Sequence, residues 1–346
     1  MADAPLLQIE GLRTQYKLHQ GTVRAVDGAS LTVMPGQTVG IVGESGCGKS
    51  VLLRSILRIV PKPGRIVDGA IRFQRRSGEI TDLASLDANG REIRSIRGDE
   101  ISMIFQEPMT SFSPVHTIGS QISEALELHR GLSRKAAAAE AVAALERVSM
   151  PRASLVAGQY PHEISGGMRQ RAMIAMALCC GPRLLMADEP TTALDVTTQA
   201  QILALMRRLQ AEEGMAILFV THDLGVVAQM TEFIVIMYLG RVVETGPVHD
   251  IFYRPQHPYT HALLHSIPKL GQRRTGARLQ SLKGGLPDPY ARLTGCPFAP
   301  RCAFSDGTRC VTEAPELRRV SDTQQARCHH AETLGLAGVA APQVAE

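Results

Sequence analysis

Gly43-Glu44-Ser45-Gly46-Cys47-Gly48-Lys49-Ser50 fits the phosphate-binding pattern G-x-x-x-x-G-K-[ST] at every position. Before it, Thr38-Val39-Gly40-Ile41-Val42 is a short apolar run that reads as a buried strand. After it, Val51-Leu52-Leu53-Arg54-Ser55-Ile56-Leu57 has the spacing of a helix. Strand, glycine loop and helix N-terminus follow one another in the order that phosphate binding needs. Glycines let successive N–H groups turn inward around an anion, and the helix dipole adds positive potential where they converge. Lys49 is expected to reach the β- and γ-phosphates and the Ser50 hydroxyl to ligate Mg²⁺. The segment from Gly43 to Val51 is therefore read as a nucleoside triphosphate site.

The rest of the composition narrows the class. A chain of 346 residues can bury a large core and carry an appendage. Hydrophobic content of 44% and charged content of 20% are those of a globular protein. A net charge of +4 is too slight to argue for a nucleic-acid partner. No apolar run approaches the roughly 18 residues that a membrane helix needs. Met1-Ala2-Asp3-Ala4-Pro5 lacks the basic and apolar regions of a secretory signal. The seven cysteines, an odd number with Cys179 and Cys180 adjacent, do not suggest a disulfide framework, and a reducing cytosol is the expected setting.

Upstream of the glycine loop, Leu6-Leu7-Gln8-Ile9, Val23-Arg24-Ala25-Val26 and Ala29-Ser30-Leu31-Thr32-Val33 read as short antiparallel strands. Tyr16, in a polar stretch, is placed to stack on a purine or to pack at the surface. Downstream, Ile101-Ser102-Met103-Ile104-Phe105 is a strand ending at Gln106, which suits a contact to a metal or water near the γ-phosphate. Residues 117–150 turn helical, an insertion expected to stand off the core. Ser165-Gly166-Gly167 opens a further helix, a second place shaped for phosphate oxygens. Arg183-Leu184-Leu185-Met186-Ala187-Asp188-Glu189 is a strand ending in two acids, which strand alternation points in opposite directions. Asp188 is placed to hold Mg²⁺ through water and Glu189 to polarise the attacking water. His222 ends another apolar strand and could reach the γ-phosphate.

Together these segments resemble the ATP-binding cassette of ABC transporters over residues 6–250. Gly43 to Ser50 matches its Walker A, Gln106 its Q-loop, Ile164 to Met168 its signature and Leu184 to Glu189 its Walker B. Ala193-Leu194-Asp195 matches the D-loop, His222 the switch histidine and Tyr16 the adenine-stacking aromatic. Met103-Ile104-Phe105-Gln106-Glu107-Pro108-Met109-Thr110-Ser111, Arg254-Pro255-Gln256-His257-Pro258-Tyr259-Thr260 and Gly295-Cys296-Pro297-Phe298-Ala299-Pro300-Arg301-Cys302 further resemble the ATP-binding subunits of oligopeptide and dipeptide permeases. Met168 departs from the general cassette, where Gln is usual, so phosphate contact at the signature falls to Ser165 and main-chain N–H groups.

The resemblance implies an α/β P-loop fold: a RecA-like core with antiparallel β and helical subdomains. It divides the chain into a cassette over 1–250 (helical subdomain 107–180), a cysteine-bearing extension over 251–335 and a disordered tail over 336–346. It implies ATP hydrolysis with Mg²⁺ held by Ser50, Gln106 and Asp188, and Glu189, His222, Gln106 and Lys49 doing the chemistry. ATP would be bound by Tyr16 and Gly43, Glu44, Ser45, Gly46, Cys47, Gly48, Lys49, Ser50 and Val51, and across an interface by Ser165, Gly166, Gly167 and Asp195. Its partners would be a second ATPase subunit, two transmembrane permease subunits and a solute-binding protein, with no nucleic acid. The chain would sit peripherally on the cytoplasmic face of the membrane. Peptide is the implied cargo, although relatives carry nickel or oligosaccharides.

A soluble cassette ATPase acting on DNA or ribosomes is the rival class. Such proteins generally carry paired cassettes, coiled-coil insertions or basic extensions, none of which is visible here.

Cys296, Cys302, Cys310 and Cys328, separated by five, seven and seventeen residues, pose a second chemical question. A segment poor in core formers needs a staple, and four thiolates suit Zn²⁺ or an iron–sulfur cluster. Zinc ligands usually come in closer pairs. The permease resemblance implies a [4Fe–4S] site, with Zn²⁺ as the alternative. Cys179 and Cys180 are expected in the core, and Cys47 is open to alkylation.

Overall fold

The structure, a computed structural model, describes residues 4–106, 111–192, 194–266, 284–285, 287–291 and 294–339. Glu107, Pro108, Met109 and Thr110 of the Q-loop stretch, Ala193 of the D-loop and residues 340–346 of the tail lie outside the described residues.

Two long strands, β1 (Leu7–Leu18) and β2 (Gly21–Val33), pair antiparallel where the sequence suggests three short ones. Register shifts after Ile9, Leu12 and Thr14 break the apolar alternation, so one continuous strand reads as separate pieces. Gly11 and Gly28, both at positive φ, lie in these strands. The strand β3 (Thr38–Val42) follows and feeds helix α1 (Lys49–Ile56). Next come β4 (Gly64–Gln74), β5 (Ile80–Asp82) and the short α2 (Arg91–Ile96). Strands β2, β1, β4 and β5 form one sheet in that order.

The second sheet organises the molecule. Its further strands are β6 (Ile101–Ile104), β7 (Leu184–Asp188), β8 (Ala216–Thr221), β9 (Phe233–Tyr238), β10 (Arg241–Pro247), β11 (Arg318–Arg319) and β12 (Gln325–Ala326). The order is β11-β12-β10-β9-β3-β8-β7-β6, with β9, β3, β8, β7 and β6 running parallel. All residues of β3, β7 and β8 are buried, which is what a sheet covered on both faces requires. Along β7, Leu184 and Met186 join the apolar cluster shared with β1, β2 and β4, while Leu185 and Ala187 face the opposite cluster.

That opposite cluster is shared with the helical segment. Helices α3 (Ile118–Arg130), α4 (Arg134–Arg147), α5 (Ala153–Ala157) and α6 (Gly166–Leu178) make up the insertion. Thr117 and Ser133 cap α3 and α4 by accepting from Ser120 and Ala136 N–H, and Gly131 at φ 64° ends α3. Ile118, Ile122, Leu126, Ala137, Ala141 and Leu145 pack in one apolar cluster with Ile104, Leu185 and Phe219 of the sheet. The insertion therefore shares the core that it was expected to stand away from. Its alanines at i and i+4 let backbones approach closely enough for this.

Helices α7 (Val196–Glu213), α8 (Leu224–Met230), α9 (Val248–Tyr253) and α10 (Pro258–His265) follow, with α11 (Arg309–Thr312) in the extension. The extension is not a bead on a linker: β12 pairs with β10 at Glu244 and Thr245 and continues the main sheet. Phe298 joins Tyr238, Tyr259 and Ile251 in a cluster that bridges sheet and extension. Among the described residues no helix is long and apolar enough to cross a membrane.

Phe73 of β4, fully buried, ties the antiparallel sheet to the core below β3. Phe73→Ala is expected to cost about 3–5 kcal/mol, read as a lower urea midpoint in equilibrium unfolding.

Candidate functional site

Parallel strands deliver their carboxyl ends to one edge of a sheet, and ligands bind there in open α/β folds. Here that edge gathers the loops after β3, β6, β7 and β8, which carry Lys49, Gln106, Glu189 and His222. The first three of these loops border a cavity of about 1030 Å³ whose lining includes Ser45, Gly46, Gly48, Lys49, Ser50, Val51, Gln106 and Glu189.

The glycine loop has no room for side chains at two points. A Cβ on Gly43 would overlap the Met237 carbonyl, and one on Gly48, at φ 102°, would overlap that of Ala25. Helix α1 starts at Lys49 with no side-chain cap, so its first N–H groups are free to serve an anion. Lys49, 5% exposed, donates through its ammonium to the Gly43 carbonyl at 2.7 Å and the Glu44 carbonyl at 3.1 Å. Ser50 Oγ donates to Asp188 Oδ1 at 3.1 Å. Burial pushes the Asp188 carboxyl up from its ordinary range, against the Ser50 hydrogen bond that holds it down. A divalent cation beside Ser50 would offset that cost.

The two acids part for a different reason than strand alternation. Asp188 is the last residue of β7, and Glu189 turns out of the strand at φ 48°. Its carboxylate then collects three neighbours: His222 Nδ1 at 3.2 Å, Gln106 Nε2 at 3.3 Å and Thr192 Oγ1 at 3.0 Å. The Glu189 side chain is 12% exposed, so the group is aimed at the cavity but largely withdrawn from bulk water. Asp188 and His222 are not themselves among the lining residues; they reach the cavity through Ser50 and Glu189.

Other candidates lie elsewhere. Tyr16 is not among the lining residues: its ring covers Gly64, where an added Cβ would meet Cε1 at 2.6 Å, while Gln15, Val23, Arg24 and Ala25 line that side of the cavity. The β1–β2 register shifts between Thr14 and Gln15, beside this wall. Ser165 caps α6 by accepting from Met168 N–H at 3.3 Å; with Gly166 it is exposed, and neither borders the cavity. The Met168 side chain packs on the apolar cluster beneath. Asp195 caps α7 through Thr198 N at 2.9 Å, and the Thr198 methyl lies over Gly167, so signature and D-loop adjoin one another outside the cavity. Cys47 is 2% exposed and burial pushes its thiol pKa up, which corrects the expectation of an alkylatable side chain. Cys179 and Cys180 are buried, as expected.

Two features escaped the sequence. Asp288, Pro289, Ala291, Thr294 and Pro297, all from the extension, form part of the cavity wall. Glu44 of the glycine loop is paired with Arg301, 257 residues away. The only sequence signal for either was the permease-like Gly295–Cys302 stretch, which gives no hint of what it touches.

The four extension cysteines are free and line one small cavity together with His257, Phe298, Phe304 and His330. Burial, with the neighbouring cysteines adding to it, pushes Cys302 and Cys328 up to about 11. Asp306 accepts from Cys310 N at 3.0 Å and pairs with His330 Nε2 at 3.1 Å. Among the described residues, the group of potential ligands whose donor atoms all lie within 4.8 Å of one another is Asp306, Cys310 and His330, not the four thiols.

Comparison with known proteins agrees with this geometry. The ABC transporter family profile matches residues 26–192, and that of the oligopeptide/dipeptide transporter C-terminal region matches residues 243–310. A putative peptide import ATP-binding protein of Brucella abortus is 51% identical over 95% of this chain and 98% of its own. The dipeptide transport ATP-binding protein DppD of Escherichia coli is 44% identical over 94% of this chain and 96% of its own. Among solved structures, a dimeric post-hydrolysis form of the ATP-binding cassette MJ0796, bound to ADP and Pi, matches with a TM-score of 0.61 and 27% identity, over 70% of this chain and 98% of that one. Glycine loop, strand-end acids and C-terminal region thus converge on one assignment: the chain belongs to the ABC transporter family of ATP-binding cassettes, in the group that carries the oligopeptide/dipeptide transporter C-terminal region.

Proposed function

We propose that the chain is the ATP-hydrolysing subunit of a peptide importer and that it supplies half of each nucleotide site. One observation carries this reading: in the second phosphate-shaped segment, Ser165-Gly166-Gly167, Ser165 and Gly166 are exposed, Gly167 is half-buried, and none of the three lines the cavity that holds Lys49. A helix start capped and exposed in this way suits the phosphates of a nucleotide held by another cassette, with Asp195 beside it. The peptide cargo rests on the relatives' names, and the dimer of the solved cassette fits the pairing.

In the proposed mechanism, water attacks the γ-phosphoryl group in line. Glu189 orients that water and accepts its proton, while Gln106 and His222 fix the carboxylate from two sides. Lys49 exchanges its loop carbonyls for phosphate oxygens. Ser50, Asp188 through water, and Gln106 would hold Mg²⁺, which neutralises phosphate charge when bound. The proposed partners are a second cassette, probed below, two transmembrane subunits at the cytoplasmic membrane face and a solute-binding protein. The division into a cassette over 1–250 and an extension over 251–335 is one of chemistry, since β12 and β10 pack as one sheet.

Cys296, Cys302, Cys310 and Cys328 would hold a [4Fe–4S] cluster, whose role here is to staple a segment short of core. Supporting this, a single tetrahedral zinc would draw four sulfurs to within about 4 Å of one another, closer than these converge. A cluster places each thiolate on its own iron and accepts a wider set.

Three outcomes are expected. Glu189→Gln keeps ATP binding but loses at least about a hundredfold in turnover, measured as steady-state phosphate release from the assembled transporter. The isolated, monomeric chain hydrolyses ATP far more slowly than a mixture with its partner cassette; full activity in the monomer overturns the half-site reading. Anaerobic purification yields a brown protein with about four irons per chain, whereas a colourless one with stoichiometric zinc overturns the cluster.

A further inference from the structure

The second residue of the glycine loop, Glu44, is held on three sides. Its carbonyl accepts from Lys49, and its N–H donates to Tyr259 Oη at 2.9 Å. Its carboxylate takes both arms of the Arg301 guanidinium, at 2.7 and 3.0 Å. Two of these three holds come from beyond β10. Arg301, with a side chain only 5% exposed, also lies 5.8 Å from the centre of the Tyr238 ring. Tyr238, Tyr259 and Phe298 pack their rings within 5.4 Å of one another beneath it.

Arg301 in turn is placed by the cysteine segment. It sits in the tight turn between Cys296 and Cys302, where Ala299 N donates to Cys296 O at 3.0 Å and Cys302 N to Ala299 O at 3.2 Å. Cys296 N donates to Cys310 O at 2.8 Å, which ties this turn to the second pair of cysteines. A carboxylate in a phosphate loop, left without its counter-charge, would repel the nucleotide. A bidentate, nearly buried guanidinium removes that repulsion and fixes the loop's shape.

We infer that Arg301 is a positioning residue for ATP binding, and that through it the folded state of the four-cysteine segment sets the affinity of the phosphate loop for nucleotide. The second half of this inference rests on the proposed metal group; the Arg301–Glu44 clamp does not.

The experiment is a double-mutant cycle on the full chain, read as the Kd of a fluorescent ATP analogue under non-hydrolysing conditions. Arg301→Gln weakens binding about tenfold, the scale of one lost charge-assisted pair, and Arg301→Lys recovers part of it. In a Glu44→Gln background the Arg301→Gln effect shrinks to about twofold or less, because the charge it answered is gone. Equal loss in both backgrounds, or no loss in either, overturns the clamp. A second arm strips the metal from wild type with a chelator, followed by elemental analysis and near-ultraviolet circular dichroism. Stripping weakens binding in wild type and adds little in Arg301→Gln; unchanged Kd after metal loss overturns the coupling. A purified protein free of iron and zinc would remove the metal reading and the coupling together, and the cycle would still decide for or against the clamp.

Discussion

Everything in this molecule depends on five strands that run the same way. Because β9, β3, β8, β7 and β6 are parallel, their carboxyl ends share one edge. Loops more than a hundred residues apart in sequence can then meet around a single cavity. The apolar runs pay for this arrangement, burying both faces of the sheet and leaving its ends as the place for polar side chains. Lys49, Gln106, Asp188, Glu189 and His222 are strand-end residues or their near neighbours. An antiparallel ordering of the same strands would divide these loops between the two ends of the sheet.

Within that edge the polar groups are fixed by one another. Ser50 answers Asp188, and Glu189 is reached by Gln106, His222 and Thr192. The positive φ at Glu189 aims its carboxylate away from Asp188. Non-glycine residues adopt that conformation at a cost, and such strain is characteristic of functional positions. The proposed division of labour between the two acids thus has a backbone cause.

The extension deserves to be seen as part of the cassette's architecture. It adds strands to the main sheet through β12, contributes a wall to the nucleotide cavity and grips Glu44 through Arg301 and Tyr259. By contrast, Ser165 and Gly166 of the signature, with Asp195, face solvent on the described surface. The chain therefore presents a densely held phosphate loop at one place and an open helix start at another, the asymmetry that a head-to-tail pair of cassettes would use.

Much was legible in the chain itself. The glycine loop, the apolar strands and the strand-end acids declare themselves because they obey local rules: fixed spacing, period, and glycines where no Cβ fits. The β1–β2 hairpin was misread because bulges interrupt its alternation, and the insertion was set apart from a core that it shares. Tyr16, expected to stack on a purine or to pack at the surface, covers Gly64 and is not among the residues that line the cavity. The clamp on Glu44 and the extension's share of the cavity were decided by tertiary structure alone, whereas the gathering of Cys296, Cys302, Cys310 and Cys328 in one place was already expected from the sequence. An ion pair or a shared cavity wall between distant residues has no period and no spacing, so only the folded backbone brings such groups within reach.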